Sequence, residues 1–479
     1  MRLRSLTLTL STLALAACAV GPDYVAPVPP PLATTGPFLS VEAGVVTPTP
    51  LPDQWWRLYD DPVLDGLVAD ALAANTDVRQ ASARIQRARA ALRGARAGQL
   101  PQTGLGAGTS YGRAAESTLP PGADREGFAY DGGLSISYEA DLFGRVGRGV
   151  EAARADVEVA QADADTVRVL VVAETTRAYA DAAGAAAQVA VAQDIVALLD
   201  RSIAVTSRRH EAGVESGLGL AQLQALREQR AAAIPLLQAE RQAALFALAT
   251  LTGRTPAALP PVAGERSVAL TIATPLPVGD GSALLARRPD IRAAERRLAA
   301  DTARIGIATA DLYPRVTLGG SVGASAAGLG DLLTGGALRF LLGPLVDWAF
   351  PNTEAVRARI DAADAEAQGS LAAFDGAVLI ALQETETALS TYARSLDRRQ
   401  RLQAAEAAAT RAMQISRARQ REGTTNALER LDAERTLAEA RAALAEQDAL
   451  VSRAQIRVFL ALGGGWSAQT PARADDVRS

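Results

Sequence analysis

Apolar and polar side chains alternate along 128–142. Phe128, Tyr130, Leu134, Ile136, Tyr138 and Leu142 share one parity, and Asp131, Ser135, Ser137, Glu139 and Asp141 the other. Period two predicts a strand with one apolar face. The pattern returns in 338–350, where Leu338, Phe340, Leu342, Val346, Trp348 and Phe350 line one side. A weaker alternation precedes each run: Leu105, Ala107, Thr109 and Tyr111, then Val316, Leu318, Val322 and Ala324. Strands are therefore placed at about 102–112, 128–142, 315–325 and 337–350. Such alternation suits a strand with lipid on one side and water on the other. An ordinary half-buried soluble hairpin carries the same signal.

Between the strands the period changes to that of helices. One helix is predicted from about Pro62 to Leu100, and very long ones over 149–211 and 353–422, with no proline inside either long run. At 1.5 Å per residue the long helices reach roughly 95–105 Å. Leu371, Phe374, Val378, Leu382, Leu389, Tyr392 and Leu396 recur at threes and fours as a single stripe. Helices of that length cannot sit inside a globular core and must pack side by side.

The plan occurs twice. Pro101 to Gly213 is 112 residues and Pro314 to Gly423 is 109, while Gly213 to Gly253 and Gly423 to Gly463 are both 40. Arg209 precedes Gly213 as Arg419 precedes Gly423, and Leu248–Gly253 loosely echoes Phe459–Gly464. Each half reads helix, strand, strand, long helix, glycine turn, shorter helix. The halves are set at 55–253 and 287–465, joined by a connector, 254–286, that is Pro- and Gly-rich over 254–282. The tail 466–479 is polar and is read as disordered.

Composition narrows the chemistry. All 49 basic residues are Arg, with one His (His210) and one Cys (Cys18), so Schiff-base, P-loop and multi-ligand His/Cys metal chemistry are excluded. A net charge of −4 points to no nucleic-acid partner. Gly104-x-Gly106-x-Gly108 follows a helix and precedes none, unlike a phosphate loop. No catalytic residue, metal ligand or cofactor is assigned, and no enzyme is expected. Residues 1–17 form a signal peptide with Arg2 and Arg4 ahead of an apolar run ending in Leu15-Ala16-Ala17-Cys18. That ending resembles a bacterial lipobox, which makes Cys18 the acylated first residue of the mature protein. A signal peptide that merely contains a Cys is the alternative. Ala19, in place of Asp, implies sorting to the outer membrane. Nine prolines in 20–53 make 18–54 an extended, lipid-anchored linker without regular structure.

Four strands with a lipid-facing side cannot close a barrel, and open edges in a bilayer leave backbone groups unsatisfied. Oligomerisation follows: two copies give eight strands, three give twelve. The chain resembles the TolC/OprM outer membrane factors, in particular their NodT-type lipoprotein branch. The resemblance rests on Val20-Gly-Pro-Asp-Tyr24, Trp55-Trp56, Tyr138-Glu-Ala-Asp-Leu-Phe-Gly-Arg145, Arg287-Arg-Pro-Asp-Ile-Arg292, Ala310-Asp-Leu-Tyr-Pro-Arg315 and Leu431-Asp-Ala-Glu-Arg435. It implies a mainly α, TolC-like fold with a transmembrane β part. In that fold a homotrimer shares a twelve-stranded barrel continued by a periplasmic α-helical barrel. It also implies an outer membrane efflux channel of a tripartite, RND-type system, with a periplasmic adaptor and an inner-membrane pump as partners.

The same resemblance assigns site residues. Arg209, Gly213, Val214 and Ser216, with Arg419, Gly423, Thr424 and Asn426, become adaptor-binding tips. Ser216-Gly217-Leu218-Gly219 departs from the family as an unusually flexible stretch. Leu428, Asp432 and Arg435, on one helix face by spacing, become the gate, with the Arg linking helices. Gln222 stands in the first half where Asp432 stands in the second. Plain turn residues, and a surface Asp–Arg pair worth a few tenths of a kcal/mol, are the bland alternatives. A structural coiled-coil outer membrane lipoprotein and a type I secretion exit duct remain as rival functions.

Overall fold

The computed structural model describes residues 19–27, 38–40, 44–115, 124–422 and 427–465, with the side chains of 427 and 428 excepted. Cys18, Gly423, Thr424, Asn426, the side chain of Leu428 and the tail 466–479 lie outside the described residues.

The elements in chain order are β1 (Val46–Thr47), α1 (Pro62–Ala74), α2 (Thr76–Ala97), β2 (Gln102–Arg113), β3 (Glu126–Ala140), α3 (Arg145–Glu211), α4 (Gly217–Ala231) and α5 (Ala233–Leu251). There follow β4 (Leu276–Pro277), α6 (Gly281–Arg287), α7 (Pro289–Ala310), β5 (Arg315–Ala326), β6 (Leu338–Asp347), α8 (Glu354–Arg421) and α9 (Ala427–Ala461). Strands β2, β3, β5 and β6 form one antiparallel sheet in that order, and β1 pairs in parallel with β4.

Several expectations change. The helix expected over 62–100 is two, because Asn75 ends α1 and caps α2: its Oδ1 accepts from Asp77 N at 2.8 Å, and its Nδ2 donates to Leu251 O at 3.0 Å. The single returning helix after the first turn is also two, α4 and α5, meeting at Ala232. Pro235 supplies the reason, since it has no N–H to continue the ladder. Gly217 to Gly219 form the first turn of α4 rather than a loose loop. The second strand ends at Ala140, so Leu142 falls outside it, and the fourth ends at Asp347, before Trp348 and Phe350.

The Pro-rich stretch is not without structure. Val46 and Thr47 form β1, and the Leu39 and Ser40 amides donate to the Glu386 carboxylate at 2.7 and 2.9 Å.

Three helices end alike. Val214 N donates to Arg209 O at 3.0 Å, Arg254 N to Ala249 O at 2.8 Å and Gly464 N to Phe459 O at 3.0 Å. In each case a left-handed glycine, Gly213, Gly253 or Gly463, lets the chain turn back onto its own carbonyls. The structural echo of Gly253 is therefore Gly463, not Gly464.

The chain divides into two compact units that cut across the two sequence halves. One holds Arg84–Gln161, Arg292–Asp375 and the described part of Met1–Val28; the other holds Ala162–Ile291, the chain from Gly376, and the described part of Pro29–Ala83. The first unit contains the sheet and the helix ends that join it. There α3 and α7 meet through Ala155, Ala299 and Ala300, with Tyr24 against them. In the second unit Trp55 stacks on Phe459 at 4.6 Å between centroids, amid Leu64, Tyr179, Leu248 and Leu389. Arg288 is buried there, donating to Ala461 O at 2.9 Å and to Glu384 at 2.8 Å, which ties the Arg-Arg-Pro-Asp motif to the end of α9.

Candidate functional site

Register sorts the sheet into two chemically different faces. The row Leu105–Leu134–Val322–Phe340 is continuous across all four strands, and Ile136–Gly320–Leu342 and Tyr138–Leu318–Pro344 run beside it. Every apolar strand position expected from the alternation, within the strands as observed, falls on this face. It is open: Phe340 is 82% and Leu342 81% exposed. The reverse face is small and polar, with Gly104, Ser135 and Ser321 in one row, although Leu341 closes that row and Leu345 also points that way. Strand β6 therefore carries large apolar residues on both sides of its middle, between Arg339 and Asp347 on the reverse face, which single-face alternation did not show.

Edge strands β2 and β6 each pair on one side only, and they run in opposite directions. Pro344 sits in β6 opposite Leu318. The N-terminal end of β2 and the C-terminal end of β6 lie at the same end of the sheet, through the row Gln102–Ser137–Gly319–Gly343.

At that end the two fingerprint motifs pack together. Arg145 donates to both Glu139 oxygens, at 2.8 and 2.5 Å. Asp141 accepts from Val146 N at 2.9 Å and Gly147 N at 2.6 Å, capping α3, where a negative group is favoured. The Phe143 ring stacks on Tyr313 at 4.5 Å, and Trp348 Nε1 donates to Leu312 O at 3.0 Å. Arg315 and Arg359 reach Asp311 at 3.5 and 3.4 Å. These groups surround a cavity of about 140 Å3. The cluster fixes the strand-to-helix turns; it contains no nucleophile–base pair.

The start of the described chain docks beside it. Val20 N donates to Phe143 O at 3.2 Å, Asp23 pairs with Arg148 at 2.7 Å, and Tyr24 donates to Glu295 at 2.9 Å. A Cβ on Gly144 would stand 3.0 Å from Ala19, so glycine permits this close approach. The position following Cys18 is thus held at the end of the sheet.

The first expected tip is described in full. Arg209 Nε donates to Glu215 at 2.9 Å across the turn at Gly213, Val214 is exposed, and Ser216 is the N-cap of α4. Near the second expected tip, whose residues 423–426 lie outside the described residues, Arg419 stands 3.8 Å from Glu429. Sequence reasoning named both arginines and neither glutamate. Behind the first turn α3, α4 and α9 pack through Ile195, Leu199, Leu223, Leu226 and Ala438.

Of the three expected gate residues, Asp432 and Arg435 come together on the exposed face of α9, with Arg435 Nη2 donating to Asp432 Oδ1 at 3.0 Å. This contact lies within one helix, so Arg435 makes no bond to another helix of the same chain among the described residues. The opposite face of α9 holds a pair that sequence reasoning missed. Glu434 is wholly buried and Arg430 is 3% exposed, with Nε and Oε1 4.0 Å apart. From α3, Ser202 Oγ donates to Glu434, and Thr206 Oγ1 accepts from Arg430. Among the described residues Arg430 Nε and Glu434 Oε2 have no hydrogen-bond partner. Burial pushes the Glu434 carboxyl above the ordinary range, against the Ser202 bond and the charges of Arg430 and Arg417. Among the described residues no group of three or more His, Cys, Asp or Glu could hold a metal ion.

The sequence profile of the family described as outer membrane efflux protein matches residues 67–254 and 281–464. Outer membrane protein OprJ of Pseudomonas aeruginosa is 31% identical, over 95% of each chain. The pyoverdine export outer membrane protein OpmQ of Pseudomonas putida is 30% identical, over 98% of this chain and 99% of its own. The solved structure of the outer-membrane channel OprN superposes with a TM-score of 0.86 at 35% identity, covering 94% of this chain and all of the other.

Proposed function

The chain belongs to the outer membrane efflux protein family, and we propose that three copies join their sheets into one twelve-stranded barrel serving as the passive exit duct of a tripartite, RND-type pump. The observation that carries this reading is a four-stranded sheet with one open apolar face and two unpaired, oppositely directed edges. In hydrocarbon such edges must be satisfied by backbone, because no water is present to do so. Pairing β6 of one copy with β2 of the next keeps the order antiparallel around the ring. The apolar face then meets lipid, and the Gly/Ser face lines the lumen.

On the same reading the turns at Gly213 and Gly423 are the periplasmic ends that meet an adaptor protein. Three Asp432 carboxylates approach one another at the aperture, their mutual repulsion limited by Arg435. Purified protein in planar bilayers is expected to form pores. Asp432→Ala is expected to raise conductance severalfold without changing the oligomer; equal conductance would reject the gate assignment. Wild-type protein that forms no pores and stays monomeric would reject the channel reading as a whole.

Cys18 is the proposed lipid anchor, supported by the lipobox and by the docking of Ala19 at the end of the sheet. Two membrane signals, an acyl chain and a barrel, then act on the same side of the bilayer. Mass spectrometry of the mature wild type is expected to show the acylated N-terminus, and Cys18→Ser to lose it while still forming trimers. An unmodified wild-type mass would sink the anchor.

A further inference from the structure

The helices flanking the two sheet edges have open faces, and their sheet-side stretches differ in charge: 84–97 of α2 holds Arg and no acid, while 354–375 of α8 holds five acids against Arg357 and Arg359. Helix α2 leads into edge strand β2, and α8 leaves edge strand β6, at the same end of the sheet. On α2, Arg89, Arg93 and Arg96 follow the i, i+4, i+7 spacing of one face and are exposed. None of the three has an ion-pair or hydrogen-bond partner among the described residues. Beside them Ala90, Gly94 and Ala97 repeat the same spacing one residue on. On α8, Ala365, Gly369 and Ala372 form a matching exposed row, with Asp361 and Asp364 alongside. Among the described residues neither aspartate makes an ion pair, and Asp364 accepts from Gln368 on its own helix, at 2.7 Å. A Cβ added at Gly94 or Gly369 would meet nothing within 4 Å.

The inner helices show how such faces are used. There α3 and α7 meet through Ala155, Ala299 and Ala300, and the flanks are closed by Arg304–Asp156 at 2.7 Å and Arg296–Glu158 at 3.1 Å. By the internal repeat, α2 corresponds to α7 and α8 to α3. The outer helices therefore carry the two halves of the same kind of contact, separated onto opposite edges of one chain.

We infer that a second copy of this chain is the occupant of both faces: α2 of one copy packs on α8 of the next through the Ala/Gly rows. Arg89 and Arg93 are then locked against Asp361 and Asp364. Heights agree. At 1.5 Å per residue, Arg93 and Arg89 stand about 6 to 12 Å from the sheet-side end of α2, and Asp361 and Asp364 about 10 to 15 Å into α8. The contact is heterologous, with α2 of each copy meeting α8 of its neighbour, and a ring of three closes it. The inference rests on the reading of three copies sharing a barrel, and adds which side chains select the partner. Complementary charge at this seam fixes the order of copies before the strand edges pair, and disfavours like-with-like docking of two α2 faces.

The test is charge exchange in the full-length protein, read as trimer fraction by native mass spectrometry in detergent at low and high salt. Arg89→Asp with Arg93→Asp, and separately Asp361→Arg with Asp364→Arg, are each expected to lower trimer yield about tenfold at low salt. The effect is expected to shrink at high salt, where exposed charges are screened. All four substitutions together restore the complementarity and are expected to recover trimers. Gly369→Leu is a second probe: the monomer has room for the side chain and the helix gains propensity, yet the seam is blocked, so trimers are expected to fall while helix content holds. Trimers of wild type and of both reversal variants in equal yield at every salt concentration would overturn the inference. A monomeric wild type would instead overturn the barrel reading beneath it.

Discussion

Leu134→Arg is expected to stop the protein from folding into lipid vesicles under conditions where the wild type folds fully. Leu134 lies mid-strand in the row Leu105–Leu134–Val322–Phe340, on the apolar face. A cation on the lipid side of a barrel costs about 2–4 kcal/mol at the bilayer midplane. Three copies multiply that cost around one ring, which is large against the few kcal/mol by which a folded domain exceeds its unfolded chain. The control is one residue away in pairing logic and opposite in chemistry. Ser321 pairs with Ser135 and Leu341 on the reverse face, so Ser321→Arg meets water and is expected to leave the folding free energy within about 1 kcal/mol of wild type. Urea midpoints in vesicles decide between them. Equal loss for both variants would remove the assignment of faces.

The two faces were legible because a strand's period of two leaves no freedom: once Phe128 is outward, Tyr130, Leu134 and Ile136 must be as well. Long proline-free runs made α3 and α8 legible for the same reason, and Gly213 was readable as a turn from its conformational freedom alone. Elements settled by a distant partner were not legible. Asn75 looks like one more polar residue in an alanine-rich helix until Leu251 O is there to receive its amide. The docking of Asp23 and Tyr24 depends on Arg148 and Glu295, more than a hundred residues away in sequence. Near the expected gate the difficulty was sharper. Leu-Glu-Arg-Leu-Asp-Ala-Glu-Arg, 428–435, carries charge on every side of its helix. Nothing within it says that Asp432 faces outward while Glu434, two residues on, is buried. That is decided by α3, which presents Ser202 and Thr206 to one side of α9.

Arg430→Met is expected to loosen that α3–α9 contact by about 3–5 kcal/mol, the usual consequence of removing one member of a buried ion pair. The pair itself is weakly bonded, with 4.0 Å between Nε and Oε1 and one atom of each residue unpartnered. Its net contribution is therefore small, and most of the loss arises from the Glu434 carboxylate left without its cation. Arg430→Met combined with Glu434→Leu should consequently recover most of the stability lost by the single variant. The pH dependence has a definite sign. Glu434 is held above the ordinary carboxyl range by burial, so the folded state binds its proton more tightly than the unfolded chain does. The resulting stabilisation is fully present below the ordinary glutamate range and is lost as pH rises through the raised value. Without Arg430 the carboxyl rises further, and the loss extends to higher pH; Glu434→Gln removes that titration altogether. Thermal unfolding of the trimer between about pH 5 and 8 reads all four proteins on one axis. A single Arg430→Met variant as stable as wild type across that range would mean that water reaches Glu434, and that the pair does not hold α9 to α3.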